Sequence, residues 1–204
     1  MDTIALDRGF GQRADPYSLH NMYRLRHEVF HERLGWEVTS AQGLEQDEYD
    51  ALQPVYLITR GPQREVTGCL RLLPTSGPYM LRDTFPQLLA GETPPADARI
   101  WDISRMAVAK PVGRDGVRSA TNDATVELVA GVLTHGLERG IDRYVAVVSV
   151  AFERILRRMG LAMHRFGDGQ ARWMGDTLSV AVWIEVDADV RDAILERHQQ
   201  REAA

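Results

Sequence analysis

Behind Asp15-Pro16, apolar residues recur at helical spacing: Leu19, Met22, Tyr23 and Phe30 share one side with Arg26. An acceptor side chain followed by proline is a helix start of the N-cap and N1 kind, so the pattern predicts a helix over about 16–30. From Leu34 to Leu52 the period is lost and Gly35 and Gly43 appear, which predicts a long loop or lid holding one short helix. Apolar runs over Val55–Arg60 and Glu65–Leu73, parted by Gly61-Pro62-Gln63-Arg64, read as a β-hairpin. A Pro- and Gly-rich excursion follows, with a short helical stretch at 85–89, and then a central strand at Ile100–Val108. Val126, Val129, Leu133 and Leu137 repeat with helical period, predicting a helix over Ser119–Arg139 closed by Gly140. Tyr144–Val150 is almost continuously apolar, as in a strand buried on both faces, and Phe152–Met159 reads as the helix after it. Strand, helix and strand in that order imply a parallel crossover. A strand over Thr177–Val186 and a polar helix over 188–201 complete the pattern.

These elements predict one α/β domain over 1–204, a three-layer α/β/α arrangement with a mixed, mostly antiparallel sheet. Within it the helix and lid occupy about 1–53, the sheet core about 54–186 and the last helix about 188–201. A length of 204 residues, 44% hydrophobic and 26% charged, supports a sizeable core and excludes a disordered or fibrous chain. The single cysteine excludes an intramolecular disulfide and a multi-cysteine metal site. No apolar run approaches the roughly 18 to 20 residues that span a bilayer, so no membrane insertion is expected. The first twelve residues lack the apolar core of a signal peptide, which makes the cytoplasm the expected compartment.

Charge changes the picture by its distribution. The net charge of −5 argues against a nucleic-acid binder. Between Leu34 and Thr59 stand five acids, Glu37, Glu45, Asp47, Glu48 and Asp50, with no Lys or Arg. Between Val150 and Arg172, Arg154, Arg157, Arg158, Arg165 and Arg172 outweigh Glu153 and Asp168, a local sum of +3. The first run reads as an anionic patch and the second as a basic one; both can be solvated faces, or the first meets a cationic ligand and the second an anionic partner. Arg26, Arg71 and Arg105 each lie inside an apolar element, where a guanidinium needs a carboxylate partner such as Asp47, Asp50 or Asp102. Strict alternation along Ile100–Met106 sends Asp102 and Ser104 to one face and Arg105 to the other. Either the strand carries a bulge, or the charged groups serve different layers. A backbone that splays there presents amides able to hold an oxyanion. Cys69 reads as a small core residue, the six histidines show no metal-ligand spacing, and Gly113 and Gly116 match no phosphate-binding loop.

Five segments in register resemble one family. They are Arg26-His-Glu-Val-Phe30 running into Arg33-Leu-Gly-Trp36, Gly43-Leu-Glu-Gln-Asp47-Glu-Tyr-Asp50, Gly68-Cys-Leu-Arg71-Leu-Leu-Pro-Thr75, Met80-Leu-Arg-Asp-Thr-Phe85 and Trp101-Asp-Ile-Ser-Arg105. This text is similar to the LuxI-type acyl-homoserine-lactone synthases of bacterial quorum sensing. The resemblance implies a fold related to the GNAT acyltransferases and two substrates, S-adenosylmethionine and an acyl thioester on acyl carrier protein or coenzyme A. It implies no metal and no further cofactor. By resemblance Arg26, Phe30, Arg33 and Trp36 line the adenosylmethionine side. Asp47, Asp50, Arg71 and Arg105 form and hold the active site, and Ser149 falls near a position that tunes recognition of a substituted acyl chain. Met80, Phe85, Trp101, Ser104 and Met106 are further substrate-binding candidates, and Arg154, Arg157, Arg158 and Arg165 are candidates for docking the acyl carrier. The family usually has Glu where this chain has Asp102, the candidate general base; Asp is shorter by one C–C bond, about 1.5 Å, which leaves direct abstraction and relay through water both open. The rival expectations are an N-acyltransferase that forms no lactone and an inactive relative that binds an acyl carrier or nucleoside. A monomer or weak dimer is expected.

Overall fold

The computed structural model describes residues 2–7, 15–110 and 123–202. In chain order its elements begin with β1 (Asp2–Asp7), α1 (Pro16–Arg26), a π-helical segment (His27–Arg33), β2 (Ser40–Ala41), β3 (Leu44–Glu45) and a 3-10 turn (Glu48–Leu52). There follow β4 (Val55–Arg60), β5 (Val66–Pro74), α2 (Met80–Asp83), a second 3-10 turn (Pro86–Leu89), β6 (Ile100–Val108) and α3 (Asp123–Arg139). The chain ends with β7 (Arg143–Ser149), α4 (Val150–Met159), β8 (Met163–Arg165), β9 (Arg172–Met174), β10 (Thr177–Glu185) and α5 (Ala188–Glu202). Two compact units divide the chain, one of residues 1–71 and 105–132, the other of 72–104 and 133–204.

In the first unit, Asp15 caps α1 by accepting the Tyr17 N–H at 3.0 Å, and Pro16 supplies the first helical residue. The α-helix predicted to reach Phe30 stops at Arg26 and continues as π-helix, closed by Leu34 N–H on Val29 O at 3.0 Å. Val29 and Phe30, seven and eight residues after Met22, stay on the buried side that the helical spacing marks out, while the hydrogen bonding widens to the π pattern. They join Met22, Tyr23, Leu25, Tyr56, Ile58, Cys69 and Ala107 in one apolar cluster. The lid region holds the expected short helical turn and also a two-residue hairpin, β2 with β3. The hairpin β4–β5 forms where predicted. On its outer side lies β1, which the sequence reading did not predict, antiparallel to β4 from Asp2↔Arg60 to Asp7↔Val55. At Gly68 a Cβ would fall 2.7 Å from Thr59 Oγ1 and 3.0 Å from Leu128 Cδ1, so α3 packs on β5 where the strand lacks a side chain.

In the second unit β6 pairs in parallel with β7, from Ile100↔Arg143 to Ile103↔Ala146, as the predicted crossover requires. β10 then pairs antiparallel with β7, and the unpredicted short strands β8 and β9 pair antiparallel with β10. The sheet is thus mixed and mostly antiparallel. Continuous burial in β7 ends at Ala146; Val147–Ser149 are half-buried, unlike the predicted two-sided burial. Ser149 caps α4, and Gly160 ends it at φ 101°, a left-handed cap that glycine adopts without steric cost. α2 was also unpredicted, because four residues in a Pro-rich excursion show no period. Ser119–Asn122, where the sequence pattern starts α3, and the glycines 113 and 116 lie outside the described residues. Among the described residues no helix is long and apolar enough to cross a membrane.

Candidate active site

The first unit gathers three arginines onto three carboxylates. Arg26 arrives from the end of α1 and Glu45 from β3; Arg71 lies within β5 and Arg105 within β6. Asp47 and Asp50 belong to a reciprocal cap on the 3-10 turn: Asp47 accepts Tyr49 N–H at 3.0 Å, and Asp47 N–H donates to Asp50 Oδ2 at 2.8 Å. Arg26 donates from Nη1 and Nη2 to the two oxygens of Asp50 at 2.8 and 2.9 Å, and from Nε to Glu45. Arg71 bonds Asp47 with both Nη atoms, one at 3.1 Å, and reaches Asp50 Oδ1 at 2.9 Å. Arg105 donates from Nε to Glu45 Oε1 at 3.0 Å and pairs through Nη2 with Asp47 Oδ2 at 2.8 Å. Tyr56 donates to Asp50 Oδ1 at 2.5 Å and stands 3.2 Å from the Tyr23 hydroxyl.

Burial makes the balance of this set strict. Arg71 and Glu45 are 0% exposed and Arg26 is 1% exposed, so each charge depends on its neighbours for the solvation it has lost. Burial alone would raise the Asp50 carboxyl, but the bonds and charge of Arg26 and Arg71, with the Tyr56 hydroxyl, hold it well below the usual carboxylate range. Burial likewise works against Arg26 and Arg71, and their carboxylate partners hold both above the ordinary guanidinium value. Burial pushes the Cys69 thiol up to about 12, which agrees with a core residue and not a nucleophile.

The five acids of the lid do not form an anionic patch: Glu45, Asp47 and Asp50 are matched by arginines from outside that stretch of sequence, and only Glu37 and Glu48 stand exposed. Glu45, absent from the predicted site residues, bridges Arg26 and Arg105. Its position two residues before Asp47 on an extended segment, hence on the same face, was the available signal. Tyr56 was missed as well, although a tyrosine in an apolar strand needs a partner for its hydroxyl.

Around this set, the Phe30 and Trp36 rings stack at 5.3 Å between centroids and 11° between planes. The Arg105 guanidinium lies 5.6 Å from the Phe30 centroid. Met106 is half-buried. Arg33 is not drawn in: it is exposed and donates to Val108 O at 3.0 Å. Arg105 itself has φ +53°, so the interruption of β6 allowed for in the sequence is present at that residue.

The second unit carries the remaining candidates. Asp102 is 1% exposed, opposite Val145 in the parallel register, and its Oδ1 accepts Leu81 N–H at 3.4 Å. Met80 is buried, while Phe85, Trp101, Ser104 and Ser149 are half-buried. Trp101 donates to Ala98 O at 2.9 Å and meets His135 edge-on at 5.7 Å. Ser149 Oγ accepts Phe152 N–H at 3.1 Å, so its hydroxyl oxygen serves the start of α4. The basic stretch divides. Arg157 and Arg165 converge on buried Glu153, at 3.0 and 2.6 Å, and lower its carboxyl, whereas Arg154 and Arg158 stand exposed on α4.

Comparison with known proteins places this geometry in context. The family model for autoinducer synthases matches residues 12–194. An acyl-homoserine-lactone synthase of Aliivibrio fischeri is 38% identical over 170 residues, covering 83% of this chain and 87% of that protein. Among solved structures, the AHL synthase LasI is similar at TM-score 0.81 and 35% identity, over 96% of this chain and 95% of its own. BjaI, a CoA-dependent acyl-homoserine lactone synthase solved with SAM and isopentyl-CoA, is similar at TM-score 0.78 and 28% identity, over 90% of this chain and 82% of its own. A Lactobacillus plantarum chain named for N-acetyltransferase activity shares the fold alone, at TM-score 0.56 and 17% identity over 90% of this chain and 96% of its own.

Proposed function

This chain belongs to the autoinducer synthase family, and from that premise we propose how its residues divide the work of making an acyl-homoserine lactone. It is an acyl-homoserine-lactone synthase with a GNAT-like α/β fold: it joins the acyl group of a carrier-protein or coenzyme A thioester to S-adenosylmethionine and releases the lactone and methylthioadenosine. The observation that carries the division of roles is the closed set of Arg26, Arg71 and Arg105 with Glu45, Asp47 and Asp50, built from the same segments that carry the family resemblance.

The chemistry assigns the rest. The α-amine of adenosylmethionine must lose a proton before it attacks the thioester carbonyl, and Asp102 is the base, directly or through a water. The tetrahedral oxyanion is held by backbone amides about Arg105 and Met106. Collapse expels the carrier thiol. The carboxylate of the same substrate then attacks the carbon next to the sulfonium, closes the lactone and expels methylthioadenosine as a neutral thioether, a step that depends on orientation. Phe30 and Trp36 supply an aromatic surface for the cationic, nucleoside-bearing substrate. The buried ion-pair set positions that surface and the lid; its own charges are spent on one another. Both substrates belong to the cytoplasm, which is where this reading puts the enzyme.

The test is a panel in which the purified protein receives adenosylmethionine with carrier-protein or coenzyme A thioesters of graded chain length, and lactone is quantified by mass spectrometry. Lactone from at least one donor is expected, and its absence with every donor contradicts the reading. For the donor's docking face, Arg154 and Arg158 are the stronger candidates, because Glu153 already occupies Arg157 and Arg165. Arg154→Glu with Arg158→Glu is expected to raise KM for the acyl donor about tenfold or more, an effect that weakens with added salt, and to leave KM for adenosylmethionine unchanged. Equal changes in both constants would rule out a docking role.

A further inference from the structure

Burial along β6 changes phase. Ile100 and Asp102 are buried on even positions, whereas Ala107, on an odd one, is the next buried residue. A strand with period two cannot do this without one residue stepping out of the alternation. That residue is Arg105, at φ +53°. A long side chain in the left-handed region is sterically disfavoured, so the surroundings must hold it there. They do so through the side chain: Nε donates to Glu45 Oε1 at 3.0 Å, Nη2 meets Asp47 Oδ2 at 2.8 Å, and the guanidinium lies over Phe30. Glu45 is itself immobilised by Arg26 and is 0% exposed, which makes it a rigid anchor.

We infer that Glu45 and Asp47 act on Arg105 as a clamp that holds the left-handed turn of β6, and that the turn, more than the guanidinium charge, is what Arg105 contributes to acyl transfer. In this account Glu45, Asp47 and Arg105 are positioning residues. The clamp aligns the backbone amides about Arg105 and Met106, and to that extent the inference rests on the functional reading above.

Glycine adopts positive φ at no steric cost, whereas alanine does not. In an ordinary strand position the order is the reverse, since glycine weakens strands relative to alanine. Comparing Arg105→Gly with Arg105→Ala therefore separates the turn from the charge, because both variants lack the guanidinium. The expected result is that R105G folds, melts about 2 to 4 °C above R105A, and exceeds it about tenfold in kcat for lactone formation, with KM for adenosylmethionine the same in both. An R105A equal to or better than R105G in melting temperature or in kcat would overturn the inference, as would failure of R105G to fold. If the wild-type chain forms no lactone, the functional reading fails, while the melting order still decides whether position 105 requires the left-handed conformation.

Discussion

Replacing Asp50 with Asn is expected to lower the melting temperature by roughly 10 °C at neutral pH and to abolish measurable lactone synthesis. Asp50 takes two bonds from Arg26, one from Arg71 and one from Tyr56, all from buried side chains. Removing one charge from a buried pair costs about 3 to 5 kcal/mol, because the partners left behind stay desolvated. In a chain of this size each kcal/mol moves the midpoint by about 2 to 4 °C. The pH dependence carries a sign. The Asp50 carboxyl is held below its unfolded value of about 3.9, so its contribution is complete above that value and is lost as the pH falls through the folded one. The advantage of the wild type over D50N therefore shrinks on acidification below about pH 4. Thermal melts of both proteins from pH 7 to pH 3 check this; equal midpoints at pH 7, or a gap that widens with acid, would contradict the ion-pair account.

Asp102→Asn is expected to reduce kcat by about 10²- to 10⁴-fold, the usual span for a general base, with KM for adenosylmethionine within a few-fold of wild type. Asn keeps the shape and can still accept a hydrogen bond where Asp102 Oδ1 meets Leu81 N–H, so loss of fold is not the expected cause. Asp102→Glu is the informative companion. It restores the residue the family resemblance leads one to expect and extends the carboxylate by about 1.5 Å. If Asp102 works through a water, D102E retains activity by reaching the amine directly. Initial rates of both variants at saturating donor test this, and a D102N enzyme within tenfold of wild type would mean that the amine loses its proton to another group.

What the sequence made legible was mostly a matter of charges in the wrong company. Arg26, Arg71 and Arg105 stood out because each interrupts an apolar run, and the structure pairs all three with carboxylates of the lid. The same reasoning miscounted the lid as anionic, because a charge sum over a window ignores partners contributed by α1, β5 and β6. The hairpin β4–β5, the parallel crossover and the α4 cap were visible in periodicity and glycine placement. The π-helical segment was not, since Phe30 falls on the buried side at helical spacing from Met22 and Arg26, and that pattern does not tell an α turn from a π turn. Nor was β1, six residues whose strand character comes from pairing with β4 along its whole length. The left-handed Arg105 lies between these cases. Conflict among Asp102, Ser104 and Arg105 over two faces signalled an interruption, but no local rule would choose a long cationic residue to occupy it.

The most direct test of the account follows both products of one reaction. Wild-type protein with adenosylmethionine and its preferred acyl thioester would be quenched at intervals, and lactone and methylthioadenosine quantified in the same samples. The account predicts that the two accumulate in equal amounts, because one intramolecular attack makes the ring and expels the thioether. Acylated amine accumulating without methylthioadenosine would contradict it and identify an acyltransferase that stops at the amide.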